Sequence, residues 1–433
     1  MTSRGFLSRT IRQCFFILVR KYNLSLYTFW KDKCNYGHRL WLGASRVFFI
    51  LAIFILVTGC TSEPQTGQPG GPAPAVVDIW HSLQGSEANA LERQVQTITK
   101  TYPEVIVKLN FVPEQNFVTF SYQAEAGGEG PEIFIASREI IHQLYGQGAL
   151  APTAYTDQEA FSATLAAFRF GEVGYALPWM TDIPLLFFRT DTAEVPVNLA
   201  DLFSVKGGIS VASPDTATLS AWWNGQGGKL VSSRNLSLND PNNVVFLQQL
   251  LTWQGAKVFR IDPAALTSFA NGETPYIIAG ASFAKHLTQL NVPWGSMPLS
   301  DLVGGQGQSL IGTTLGIANS AIKTTPAMMA AIQTVEKALL TPEVEGALWE
   351  AGRLLPANMT YYERSEAQKG VFPQASIALE KAWALQGNAQ EWKLIPVQDA
   401  AWSNVLLGNA TPEDALNNAQ EEAGKALSVK GQP

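Results

Sequence analysis

The 433-residue chain has three cysteines, four histidines and only 15% charged residues. Cys14, Cys34 and Cys60 share no Cys-x-x-Cys spacing, and nothing after Cys60 could close an intrachain disulfide. A secreted domain of this size does not need one. His81, His142 and His286, the histidines of the main body, lack paired metal-ligand spacing, so neither metal nor cofactor is expected. No repeat of about 20–50 residues is present, which excludes a solenoid or propeller. No apolar run reaches the roughly 20 residues that a spanning helix needs. Enzyme motifs are also missing. Gly280-Ala281-Ser282-Phe283-Ala284 lacks the last glycine of a nucleophile elbow. Trp223 to Leu230 lacks the first glycine and the Ser/Thr of a phosphate loop. A glycosidase would need two facing carboxylates, a pairing that sequence alone neither supplies nor rules out.

What is present begins with a leader. Arg46, the apolar run Val47–Val57 and small residues before Cys60 have the layout of a bacterial secretion signal. Val57-Thr58-Gly59-Cys60 resembles the lipobox of bacterial lipoproteins, which implies cleavage before Cys60 and lipid on that cysteine. The alternative is an uncleaved anchor helix, and both tether the body to the outer face of the membrane. Residues 1–59 hold nine Lys/Arg against the single acid Asp32, so of the total charge of −6 they carry +8 and the rest −14. An acidic body argues against nucleic acid or an anionic surface as partner. Residues 60–74, rich in Gly, Pro, Thr and Gln, read as a lipid-anchored flexible linker.

From Ala75 the pattern alternates. A β-branched run ends at Trp80, and a helix follows with Ala88, Leu91, Val95 and Ile98 on one face. Strands at 105–112 and 131–135 alternate with helices at 116–126 and 138–145. This β-α-β-α order predicts a mainly parallel sheet whose ligands sit at the carboxyl ends of its strands. Asp240-Pro241, Thr325-Pro326, Thr341-Pro342 and Thr411-Pro412 each place a cap before a first-turn proline.

Ten tryptophans follow Cys60. Most buried aromatics simply fill cores, yet flat rings also stack on sugars while carboxylates and amides bind hydroxyls. Trp80 stands out at a strand end, and Trp179 in the proline-broken apolar stretch Tyr175–Phe188. Trp222 and Trp223 stand out because adjacent aromatics beside glycines do not easily share a core. Asp182 lies in apolar surroundings, as a structural cap or pair or as a hydroxyl acceptor. Glu87, in a first helical turn, either faces ligand or complements the helix dipole.

Trp80-His81-Ser82 with Gly85-Ser86-Glu87, Gly130 to Phe134, Leu177 to Asp182, Phe269 to Glu273 with Ile277 to Gly280, and Trp402 to Leu416 occur in one order. In that order they resemble the family 1 extracellular solute-binding proteins of ABC importers, the maltose-binding-protein type. The resemblance implies a type II periplasmic-binding-protein-like α/β fold, with two lobes, a hinge and an interlobe cleft. It places lobe 1 at 75–182 and 300–346, lobe 2 at 183–299 and 347–425, and a tail at 426–433. The implied crossings lie near Trp179–Leu186, Met297–Leu302 and residue 347.

It further implies a monomer that carries a sugar, a di- or oligosaccharide, to permease subunits without catalysis. A polyol, phosphodiester or amino-acid derivative, or a secreted carbohydrate-active enzyme, are the alternatives. Ser82, Ser137, Arg138, Ser282 and Phe283 join the candidate ligand residues through the match and their position. Two departures stand out: Gly280-Ala281-Ser282-Phe283 replaces the family's Gly-Pro-Trp, and Asn198 to Leu202 replaces Thr-Trp-Asp/Glu-Glu-Leu.

Overall fold

The computed structural model describes residues 73–153, 159–232, 235–322, 324–385 and 391–428. Cys60, the leader and nearly all of the linker lie outside that range. The principal strands are β1 (Ala75–His81), β2 (Val105–Phe111), β3 (Ile133–Ser137), β4 (Leu177–Thr181), β5 (Pro184–Arg189), β6 (Ile209–Val211), β7 (Phe259–Ile261), β8 (Tyr276–Gly280), β9 (Trp294–Pro298), β10 (Leu315–Asn319) and β11 (Leu355–Pro356). The principal helices are α1 (Gly85–Thr101), α2 (Glu114–Gly127), α3 (Arg138–Gly146), α4 (Thr216–Gly225), α5 (Pro241–Gly255), α6 (Phe283–Gln289), α7 (Pro326–Leu339), α8 (Pro342–Ala351), α9 (Phe372–Glu380), α10 (Leu394–Leu406) and α11 (Pro412–Ser428).

Two sheets carry two α/β lobes. The first runs β11-β4-β10-β3-β1-β2, with β1 parallel to β2 and β3 and the other pairs antiparallel. The second runs β7-β6-β8-β5-β9, parallel at β7-β6-β8 and antiparallel around β5. β5 is buried along its whole length because it feeds both cores. Leu185 and Phe187 join the first, Leu186 and Phe188 the second.

Local chemistry explains the helix starts. Asp240 accepts from Asn242 N, Thr325 from Met328 N and Thr411 from Asp414 N, each before a proline. Thr341 differs: its hydroxyl turns back and donates to Ala338 O at 3.0 Å. Helix α11 continues to Ser428, three residues into the expected tail.

The expected lobe boundaries need correction. Leu299 and Leu302 remain in the second core, and the chain changes cores between Leu310 and Ile311. The third crossing lies not at residue 347 but near Trp383. Between them, β11 pairs with β4 of the first sheet, and Trp349, Leu355, Tyr361 and Tyr362 fill the first core. Helical periodicity identifies an apolar face but not which of two cores receives it. The three crossings are tied side by side. Gly312 N donates to Asp182 O at 2.8 Å, and Ile311 N to Trp383 O at 3.0 Å.

A buried acid on α7 makes the first lobe pH-sensitive. Glu336 is 1% exposed and its Oε1 has no partner. Burial pushes its carboxyl up to about 7, with Asn319 opposing. A proton is therefore taken up on folding, so this group's stabilisation is full below about pH 4.5 and lost as pH rises through 7. Glu336→Gln should match the parent at pH 4 and exceed it at pH 8 by up to about 3 kcal/mol in urea unfolding. Equal differences at the two pH values would contradict this.

Candidate functional site

The cleft forms where strand ends of both lobes meet. Beyond β1 the chain turns through Gln84 and Gly85 into α1, presenting Ser86 and Glu87. Opposite, β8 ends at Gly280 and the chain enters α6 through Ser282. Between them lies a cavity of about 910 Å³, also lined by Thr267, Lys285, His286 and Arg353. Its walls mix hydroxyls, carboxylates and basic side chains with the apolar Leu266, Ala279 and Ala351. The largest ring there, Phe283, is 6% exposed and packs edge-on against Phe187 at 5.6 Å. Glu87, Ser282 and Phe283 are the expected residues that the structure brings together here.

Asp182 occupies the first crossing beside this cavity. Its Oδ1 accepts from Ile183 N at 2.9 Å and Ser282 N at 3.2 Å, and its Oδ2 from Ser282 Oγ at 3.0 Å. Burial raises its pKa to about 6, while these donors pull the other way. The carboxylate therefore acts as an internal cap that fixes Ser282, the structural alternative left open by the sequence. Gly280 is required next to it, since a Cβ there would collide with Asp182 Oδ2.

Three tryptophans are displaced from the expected cleft. Trp179 is fully buried in the first core, its Nε1 donating to Leu339 O at 2.8 Å. Trp222 and Trp223 lie at 0% and 1% exposure in the second core, on α4. Trp223 Nε1 donates to Asn243 Oδ1 at 2.7 Å, and a Cβ at Gly228 would strike the indole. The glycines beside this pair thus allow backbone to close over a buried ring. Trp80, at the end of β1, is half-buried and packs against the first core.

The remaining candidates lie at the other strand ends. Ser82 is half-buried after β1. Ser137 closes β3 and donates to Glu114 Oε1 at 3.1 Å. Arg138 opens α3, pairs with Glu139 at 2.8 Å and keeps a buried, unpartnered terminal nitrogen. His142, one turn along α3, meets the edge of Trp392 from the second core at 6.4 Å, and Trp392 Nε1 is also buried without a partner. Unpaired buried N–H groups are costly, and the Nε1 groups of Trp222 and Trp402 in the second core share this feature. Trp392, Lys285, Glu350 and Arg353 escaped sequence reasoning. Their approach is set by lobe packing, and only the indole of Trp392 carried any compositional signal.

Among the described residues no three His, Cys, Asp or Glu side chains converge as a metal site, and no helix is long and apolar enough to cross a membrane. Since Trp179 is core, Trp179→Ala should cost about 3–5 kcal/mol of stability in chemical unfolding. Ligand affinity per folded molecule should stay near the parent's; strong loss of affinity with intact stability would return the ring to the cleft.

The profile of the bacterial extracellular solute-binding proteins matches residues 97–373. No protein of curated function matches the chain. Among solved structures, a cyclo/maltodextrin-binding protein complexed with maltotetraose aligns at TM-score 0.73 and 16% identity, covering 84% of this chain and 100% of that one. The GacH receptor of Streptomyces glaucescens, solved unliganded and with acarbose, aligns at 0.67 and 19%, covering 83% and 100%. A maltose/maltodextrin-binding MalE domain from Bdellovibrio bacteriovorus bound to maltotriose aligns at 0.64 and 16%, covering 81% and 99%. At such identities the likeness shows the fold: two α/β lobes around an interlobe cleft. The family profile spans well over half the sequence, and the chain belongs to the bacterial extracellular solute-binding proteins.

Proposed function

We propose that this protein is the substrate-binding lipoprotein of an ABC importer, capturing a di- or oligosaccharide between its lobes and presenting it to a membrane permease. As a member of its family it binds solute rather than transforming it. The observation that carries the sugar reading is the cleft itself. Ser86, Glu87, Thr267, Ser282 and Arg353 offer hydroxyl, carboxylate and guanidinium groups on both lobes around one cavity of about 910 Å³. That volume and that mixture of donors and acceptors suit a ligand with many hydroxyls. The maltotetraose, acarbose and maltotriose bound by the structural neighbours support the same class. Within that cavity the reading rests on Glu87 and Ser282 as hydroxyl partners; Trp80 and Arg138 are carried only by their strand-end positions.

One observation favours a second reading. The cavity presents the guanidinium of Arg353 and the imidazole of His286 but little open aromatic surface. A phosphodiester or other anionic solute would use the Arg353 guanidinium where a sugar would use rings. Titration calorimetry should separate the two. Mono-, di- and oligosaccharides are expected to give saturable heats without turnover, whereas silence across that panel with heats from glycerophosphodiesters would overturn the sugar assignment.

Lipid on Cys60 would supply the attachment, with residues 61–74 as spacer. More than one acyl chain is needed for stable anchoring. Cys60→Ser should shift the protein from the membrane to the soluble fraction while leaving solute affinity unchanged. Retention at the membrane would instead identify the apolar leader as the anchor.

A further inference from the structure

The C-terminus of α8 is closed from two sides. An α-helix ends in four carbonyls without intrahelical partners, which attract donors and positive charge. Ser86 Oγ, from the first lobe, donates to Ala351 O at 2.7 Å. The carbonyls of Trp349, Glu350 and Gly352 are all taken by one group, the ammonium of Lys285, at 2.7 Å for Trp349 and 3.2 Å for Gly352. An ammonium has three N–H donors, and here each finds a backbone acceptor. The same nitrogen lies 5.6 Å from the centroid of the Trp349 ring, which adds a cation–π attraction.

This contact joins the two lobes. Lys285 rises from α6, which links β8 to β9 in the second sheet, whereas α8 packs on α1 of the first lobe. Lys285 and Glu350 line the cleft and also a second cavity of about 780 Å³, bounded by Trp294, Tyr361, Arg364 and Phe372. The lysine therefore stands as the partition between two hollows. Glu87 and Glu350 favour its charged form, while partial burial opposes it more strongly.

We propose that Lys285 is an interlobe latch: its ammonium, seated on the last carbonyls of α8, holds this edge of the cleft together in the absence of solute. Opening the lobes would strip three carbonyls of their donor at once. Closure would restore all three, so the contact favours one lobe angle rather than a continuum. The latch does not depend on which solute the cleft accepts.

The test measures lobe separation without any solute. Nitroxides at Asn89→Cys and Leu290→Cys, one on each lobe, are introduced into the detergent-solubilised full chain with its three native cysteines replaced by serine. Electron–electron resonance then reads the distance. Lys285→Met is expected to shift the distribution to longer distances, and Lys285→Arg, which keeps charge and donors, to leave it near the parent's. An unchanged or shortened distance in Lys285→Met with a parent-like circular dichroism spectrum would overturn the latch. Should that variant not fold, Lys285→Gln, which lacks the charge, is read by the same criterion.

Discussion

The Asp182 carboxylate is the constraint on which the rest of this fold depends. It sits where the first strand leaves one sheet for the other, and its oxygens hold Ile183 N, Ser282 N and Ser282 Oγ. Its own backbone carbonyl receives Gly312 N from the second crossing. A half-buried carboxylate cut off from much of its water is best tolerated when its acceptors are well occupied. The three donors meet that need and tie the end of β8 to the end of β4. The loop carrying Ser282 is thereby fixed relative to the first lobe at its root, although it belongs to the second. Gly280 and Gly312 follow from this, because both backbones approach Asp182 closely.

Much of this was legible in residue order, and some could not be. The β-α alternation from Ala75 to Gly146 and the Asp-Pro and Thr-Pro starts are local signals, and the structure has helices and strands there. Asp182 was legible as an anomaly, a carboxylate in an apolar stretch, but its partner Ser282 lies 100 residues away. Trp222 and Trp223 misled for a physical reason. Glycines beside aromatics signal close backbone approach, and close approach is equally needed to bury a ring. Lobe membership of 342–380 was hidden because its apolar faces are compatible with either core. Register with β4 at Leu355–Pro356 decides it, and register is not encoded locally.

The cleft also shows how a solute could be held with few exposed rings. Hydrogen bonds to solvent-exposed hydroxyls contribute little net free energy, because water makes equivalent bonds. Their worth rises when closure removes that water and lowers the local dielectric. A cleft built from Glu87, Ser282 and Arg353 thus depends on lobe closure for its affinity more than one built from stacked indoles.

Lobe motion is limited by where the cores join. The first core extends along β5 into Phe269, Phe283 and Leu287 of the second lobe, and α9 contributes Phe372, Ala375 and Leu379 to the same continuous packing. Packed interiors behave as rigid solids rather than as fluids, so this region cannot shear freely. The flexible degrees of freedom are therefore left to the three hydrogen-bonded crossings at Asp182, Ile311 and Trp383. Few residues there need change φ and ψ for one lobe to rotate on the other. The seat of Lys285 on α8, one turn along α6 from Ser282, and the meeting of Trp392 with His142 are two contacts between the lobes that such a rotation must break or keep. A solute that engages both lobes adds to the same balance, so its affinity must depend on contacts it never touches.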